Sequence, residues 1–364
     1  MAIVLCFAGY QTLFNTIDFN ATRTQLLKTF CLTQMFFLTL VLVDDGKKLK
    51  QLALVILISG TFQAAYGSLM TLSGIEYIWN KPKEAYVGVA TGTFVNRNHL
   101  AGYLEMSLAV GIGLLLAGMQ RSSAPTWRSW LRNWIEVLLG ERALVRLCLT
   151  IMVIGLILTQ SRMGNVAFFV SMSIGCFFGI FAFRRSSRNV ARLFISLIAI
   201  DILLLGIFFG LDDLRKRVER TDLKEEQRIE VNYITAKTLI SEKRVFGTGL
   251  GTWYTSFPEY RTRDITYNYR HAHSDLLQFP YEMGIGSLLL LGLWLTSMWH
   301  VIHAQVRRRS YFYRSIACGC GIGIVSISAH SLTDFNLQVY ANSLTFMVLL
   351  AMANLSRHLE TRNS

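Results

Sequence analysis

Proline is scarce in this chain, with four among 364 residues, and charged side chains make up only 16%. Hydrophobic residues make up 52%. So little charge and proline argues against a chain of many surface loops. The apolar residues do not alternate with polar ones, as half-buried strands would require. They come in blocks, several reaching the roughly 18–20 residues that cross a bilayer core as a helix. In lipid the backbone must satisfy its own hydrogen bonds, so such blocks read as helices. The fold class expected is therefore all-α: a polytopic membrane helix bundle.

Acidic residues are also short, 23 against 36 lysines and arginines, a formal net charge of +13. The basic residues do not form a nucleic-acid-binding face. Half of them lie in alternate connections between apolar blocks: "DDGKKLK" at 44–50, the arginines of 119–146, "FRRSSRNVAR" at 183–192, "VRRRSYFYR" at 306–314 and the tail "SRHLETRNS". Basic residues in every second connection are what the positive-inside rule produces, and these connections are placed in the cytoplasm. About nine spans are expected: 26–43, 51–73, 99–118, 144–160, 164–183, 190–211, 284–303, 315–330 and 339–355. The other side, periplasmic in a bacterium, then holds 74–98, the turn "TQSRMGN", a long loop at 212–283 and the connection near 330–338. This divides the chain into an amino-terminal bundle (1–211), a large loop (212–283) and carboxy-terminal spans with a cytoplasmic tail (284–364). "MAIVLCFAGY" is too short to span and lacks the features of a signal peptide. It reads as the end of a helix whose beginning is missing. No internal repeat is visible.

Six cysteines all fall in apolar blocks, which argues against a disulfide framework. Cys318-Gly319-Cys320 lacks a second ligand pair for zinc and reads as small residues on a packed helix. Gly247, Gly249 and Gly251 in "FGTGLGTW" follow no βαβ pattern and have the wrong spacing for a dinucleotide site, so a flexible turn after the loop helix is expected. That helix, in "RKRVERTDLKEEQRIEVNYITAKTLISEKR", places Ile229, Tyr233, Ala236 and Ile240 on one face, to lie on the membrane surface or pack on the bundle. Asn96, Arg97, Asn98 and His99 precede a span, where capping is the default and lining a cavity the alternative.

Arg162 lies in a very short turn on the periplasmic side. Snorkelling explains many helix-end arginines, but this one runs against the positive-inside bias, and an anionic ligand supplies a reason. A guanidinium matches phosphate oxygens with two parallel donors. Arg228 opens the loop helix, where pairing with Glu225 or Glu226 is the plain reading. "RHAHSD" offers His271, His273 and Asp275. Metal binding needs three or four ligands, and His303 and His330 lie on other spans. A histidine at the water–membrane boundary suits proton transfer near neutral pH, and capping of the next helix is the structural alternative.

In order along the chain, "GTFVNRNHLAGYL", "LTQSRMG", "RIEVNYITAKTLISEKRVFGTGLGTW", "HAHSDLLQFPYEMGIG" and "HSLTDFNLQVYANSLTF" resemble the O-antigen ligase-like membrane protein superfamily. That group includes lipopolysaccharide O-antigen ligases and O-antigen or exopolysaccharide polymerases. The resemblance covers roughly residues 90–350. Its pattern of His-[Asn/Ser/Gln], nine residues and Gly matches His273-Ser274 and Gly284, although Gly286 follows after one residue where the family often has two. The resemblance implies transfer of a glycan from undecaprenyl diphosphate to an acceptor hydroxyl, of lipid A–core or another glycan, at the periplasmic face of the bacterial inner membrane. No cofactor, metal or nucleic acid is implied. It assigns Arg162 and Arg228 to the diphosphate and His273 to the base, with His271, Asp275, Asp334 and Asn98 secondary. Ligase and polymerase remain open. So does a transporter of a small anion such as bicarbonate, although the paired broken helices of many transporters are not seen.

Overall fold

The structure is a computed structural model and describes residues 1–119, 140–182, 195, 199, 223–242, 245–307 and 310–359. Its helices are α1 (Ala2–Phe14), α2 (Phe19–Leu42), α3 (Gly46–Ser73), α4 (Arg97–Gly118), α5 (Glu141–Leu158), α6 (Arg162–Ala182), α7 (Leu223–Glu242), α8 (Asp275–Met283), α9 (Ser287–Arg307), α10 (Tyr311–His330) and α11 (Tyr340–His358). Among the described residues, one hairpin of two-residue strands, β1 (Tyr77–Ile78) with β2 (Lys81–Pro82), is the exception to an all-α architecture. Among them too, five stretches are long and apolar enough to cross a membrane by length and composition: α2, α3, α4, Asp275–Arg307 and α10. The expected span at 190–211 lies almost wholly outside the described residues.

Helices begin earlier than hydropathy suggests wherever a polar cap precedes the apolar run. The α2 helix starts at Phe19, not 26, because the Asp18 carboxylate accepts the Ala21 amide at 3.0 Å. Its first turns are polar and invisible to a hydropathy window. In the same way Asp45 accepts the Lys48 amide ahead of α3, and Asn96 accepts the Asn98 amide ahead of α4. Capping is thus the role of Asn96.

The chain forms two compact units. The first is built from residues 1–38, 206–296 and 328–348, and the second from 39–205, 297–327 and 349–364. In the second, α3, α4 and α5 pack against one another. Small residues let them approach: a Cβ on Gly60 would meet Ser107 at 2.5 Å, and one on Gly155 would meet Ala64 at 2.6 Å. The α4 helix is almost completely enclosed and carries Glu105, which accepts a hydrogen bond from Ser326 Oγ at 2.8 Å.

In the first unit, α7 packs through Val231 and Ile234 into a cluster with Trp253, Phe257, Ile265, Ala272 and Tyr281. This is not the apolar stripe that periodicity singles out: Ile229, Tyr233 and Ile240 are 68%, 61% and 74% exposed. The inner face instead carries two threonines. Thr235 Oγ1 bonds to Val231 O at 2.7 Å and accepts the Trp253 indole N–H at 3.2 Å, so its hydroxyl is satisfied inside the cluster.

The glycine-rich 247–251 turn is packed rather than loose. Glu282 on α8 accepts the amides of Gly251 at 2.8 Å and Trp253 at 3.3 Å. Gly247 has φ +72°, and a Cβ there would be 2.2 Å from the Glu282 carbonyl oxygen. Gly88 has a similar φ, +80°, with open space around it. Gly88→Ala should therefore cost only the left-handed penalty of about 1 kcal/mol. Gly247→Ala adds a clash with backbone and should cost about 2 kcal/mol or more. Thermal midpoints of the two variants in detergent check the order.

Candidate functional site around His273

The site grows from the aromatic cluster of the first unit. Ala272 is fully buried in it, and its amide donates to Gln278 Oε1 at 3.1 Å. That anchor fixes the two histidines on either side, which lie on an irregular segment and not on a strand. Both rings meet Phe335. His271 stacks on it at 4.3 Å and His273 meets it edge-on at 4.8 Å. His271 Nδ1 is 3.2 Å from Gln278 Nε2; with the amide donating, its Nδ1 is the acceptor. His273 instead turns Nδ1 toward Asp334 Oδ1 at 3.6 Å, with Tyr269 edge-on at 5.6 Å. The 3.6 Å approach is longer than a hydrogen bond. The Asp334 carboxylate is buried, and its Oδ1 accepts the Phe335 amide at 2.8 Å.

His273 has φ +55°. A non-glycine residue in the left-handed region costs about 1–2 kcal/mol and persists where its surroundings impose it. Here the next residue must start α8, so the chain turns at His273 itself. The α8 helix has nine residues and ends at Gly284, φ +54°, where a Cβ would be 2.1 Å from Val245 O. The nine-residue spacing between His273-Ser274 and Gly284 is therefore the length of one helix, opened by a strained histidine and closed by a glycine that packing demands. Gly286 packs against the Phe7 ring, at 2.2 Å for a Cβ placed there.

Asp275 is a fastening. Its amide donates to Ser331 O at 3.0 Å and Asp334 O at 3.1 Å. Its Oδ2 accepts Ser331 Oγ at 3.0 Å and the Leu337 amide at 2.9 Å. Its Oδ1 is buried without a hydrogen-bond partner among the described residues. The carboxylate faces a cavity of about 560 Å³, otherwise mostly apolar, whose lining includes Lys28, Leu276, Phe279, Leu291 and Trp294. Lys28, on α2 and 5% exposed, donates to Gln338 O at 2.7 Å and Leu337 O at 3.4 Å and lies 4.9 Å from the Tyr340 ring centroid. Sequence reasoning passed over Lys28. The available signal was an ionisable residue inside the expected 26–43 span, where such groups are rare.

Arg228 lies on α7 one turn ahead of Val231, so it shares the face that enters the cluster containing Ala272. Its Nε is buried and has no hydrogen-bond partner among the described residues. The side chains of Glu225 and Glu226 lie outside the described residues. Arg162 and Asn98 belong to the second unit. Arg162 is the exposed first residue of α6, following a turn in which Ser161 Oγ accepts the Gly164 amide at 3.2 Å. His271, His273, Asp275, Asp334 and Arg228 are thus in one unit, with Arg162 and Asn98 in the other. Among the described residues no group of three or more His, Cys, Asp or Glu could hold a metal ion.

These features define a polytopic helical membrane protein with a buried carboxylate facing a histidine. The family model described as O-antigen ligase matches residues 147–292. Over this segment, which holds Arg162, Arg228 and His273, the chain is similar to O-antigen ligases. No curated protein matches it.

Asp275 gives a direct test of the fastening. Asp275→Leu strands the Ser331 hydroxyl and the Leu337 amide, at about 1–3 kcal/mol for each buried group left unsatisfied. Asp275→Asn retains an acceptor oxygen and should lose less. Thermal midpoints should fall in the order wild type, Asn, Leu.

Proposed function

We propose that this protein is a glycosyltransferase of the O-antigen ligase type. It moves a glycan from undecaprenyl diphosphate to a hydroxyl of lipid A–core at the periplasmic face of the bacterial inner membrane. The observation that carries the reading is His273, inside the segment that the O-antigen ligase model matches, with its Nδ1 3.6 Å from the buried carboxylate of Asp334, which lies beyond that segment.

In the proposed reaction the acceptor oxygen attacks the anomeric carbon while the bond from that carbon to the diphosphate oxygen breaks. Undecaprenyl diphosphate departs with the bonding pair, and attack from the opposite side inverts the anomeric centre. The acceptor proton passes to His273. With Nδ1 facing Asp334, Nε2 is the nitrogen that takes it. The carboxylate then stabilises the imidazolium and holds the ring in orientation. Arg228 is the proposed diphosphate contact in the same unit, and a guanidinium there would offset the charge growing on the leaving group. Arg162 carries the same proposed role on the strength of the family resemblance. The donor is already activated, so no ATP is needed, and the proposed reaction follows the family resemblance in using no metal. The residues 212–283 are proposed to form one periplasmic loop, and the bundle on either side to keep the isoprenoid tail in lipid.

The choice of lipid A–core over a second carrier-linked glycan depends on the acceptor alone. His273, Asp334 and the arginines would serve a polymerase equally. A covalent product on lipid A–core, not a lengthened carrier-linked chain, is the expected outcome in a cell extract.

In reconstituted protein with carrier-linked glycan, His273→Ala should reduce transfer by about 10²–10⁴-fold, and Arg162→Ala should abolish it, with both variants folded. Full activity in both sinks the assignment. Excess chelator should leave the wild-type rate unchanged. A rate lost on chelation and restored by a divalent cation would overturn the metal-free mechanism. Anion flux in proteoliposomes lacking any glycan carrier would favour a transporter instead.

A further inference from the structure

We infer that Lys28 is a positioning residue for His273, acting through the backbone of Leu337 and Gln338. The inference rests on the function proposed above and adds to it a residue outside the family-matched segment.

Asp334 and Phe335 lie midway along 331–339, the connection from α10 to α11, and both face the histidines. That connection is held from two helices of the same unit. Asp275 holds Ser331, the Asp334 carbonyl and the Leu337 amide. The other side of the same residue, the Leu337 carbonyl, is held by Lys28, as is the next carbonyl, Gln338. Leu337 is thus gripped at its N–H by a carboxylate on α8 and at its C=O by an ammonium on α2. The two gripping side chains line one cavity.

A buried ammonium is expensive to desolvate, and its three donors need acceptors. Replacing a whole buried ion pair by apolar residues of similar volume is often neutral or favourable for stability, although removing one partner alone is destabilising. Packing alone therefore does not call for a lysine at position 28. Its chemistry matches what an apolar side chain cannot do there: bind two adjacent carbonyls and fix where the preceding turn points. Without Lys28 the connection would keep the holds that Asp275 makes on Ser331, the Asp334 carbonyl and the Leu337 amide. It would lose those on the Leu337 and Gln338 carbonyls, loosening the far end of the turn that carries Asp334, 3.6 Å from His273 Nδ1, and Phe335, against both rings.

The test uses the full chain in proteoliposomes with undecaprenyl-diphosphate-linked glycan as donor. Lys28→Met should lower kcat by about tenfold or more while KM for the donor stays within about threefold. Lys28→Arg, which can also donate to two carbonyls, should recover a substantial part of the rate. Lys28→Met combined with Asp334→Asn should be no slower than Asp334→Asn alone, because the two share one route to His273. An unchanged kcat in Lys28→Met, or a fully additive loss in the double variant, overturns the inference. Should Lys28→Met fail to fold, Lys28→Gln, with a donor for one carbonyl, takes its place in the same comparison. Hydrogen exchange supplies a readout independent of transfer. Amides of 331–339 should lose protection in Lys28→Met while those of α4 keep it, and unchanged protection of 331–339 overturns the inference. If the unmodified protein transfers no glycan, the proposed function fails, and exchange alone decides whether Lys28 holds the connection.

Discussion

A carboxylate shut away from water must find its hydrogen bonds in the protein, and Asp275 finds them in the connection between α10 and α11. It accepts from Ser331 and Leu337, while its own amide reaches the carbonyls of Ser331 and Asp334. Burial makes these bonds obligatory, since an unpaired polar group in an apolar setting costs more than the bond contributes when made. The helix that carries Asp275 begins immediately after the histidine segment. One residue therefore joins the two stretches of chain whose side chains meet: His271 and His273 on one, Asp334 and Phe335 on the other.

The same constraint explains the surroundings. Glu282, two turns along α8 from Asp275, accepts the amides of Gly251 and Trp253 and so pins the glycine-rich turn to the helix. Gln278, between them, holds Ala272 and approaches His271. Asp275, Gln278 and Glu282 recur at three- and four-residue spacing, so they form one polar face of α8. That face organises three separate loops. Beside it, Leu276 and Phe279 line the apolar cavity that Asp275 also faces. A short helix with one face for backbone capture and one for apolar contact is a rigid mount for a side chain at its start.

Much of this architecture was legible in the sequence, because hydropathy and capping act locally. The apolar blocks gave α2, α3, α4 and α10, and Asn96 capped as its residue type favours. The pairing of His273 with Asp334 was not legible, since sixty residues separate them and no local rule brings them together. Nor was the packing face of α7. There Thr235 and Thr238 go inside and Ile229, Tyr233 and Ile240 stay out, and the Thr235 hydroxyl, bonded to a helix carbonyl and to Trp253, is buried with its partners in place. Periodicity weighs side chains by hydrophobicity and cannot see a partner waiting across the cluster. Lys28 was hidden for the opposite reason. An apolar window absorbs a single charge, although that charge is the feature in the window that most needs a partner.

The strain at His273 shows how these levels connect. Its left-handed backbone is unfavourable by itself and would relax if the chain on either side were free. It is free on neither side. Ala272 is buried in the aromatic cluster and bonded to Gln278, and Asp275 is bonded to 331–337. A histidine on a relaxed loop would sample many orientations, and each would have to be lost before a proton could move along one line. For the proposed proton transfer, that entropy would be lost on folding and not at each turnover. The nine residues from His273-Ser274 to Gly284 then have a physical meaning. They are the helix whose two fixed ends leave the histidine a single place to be.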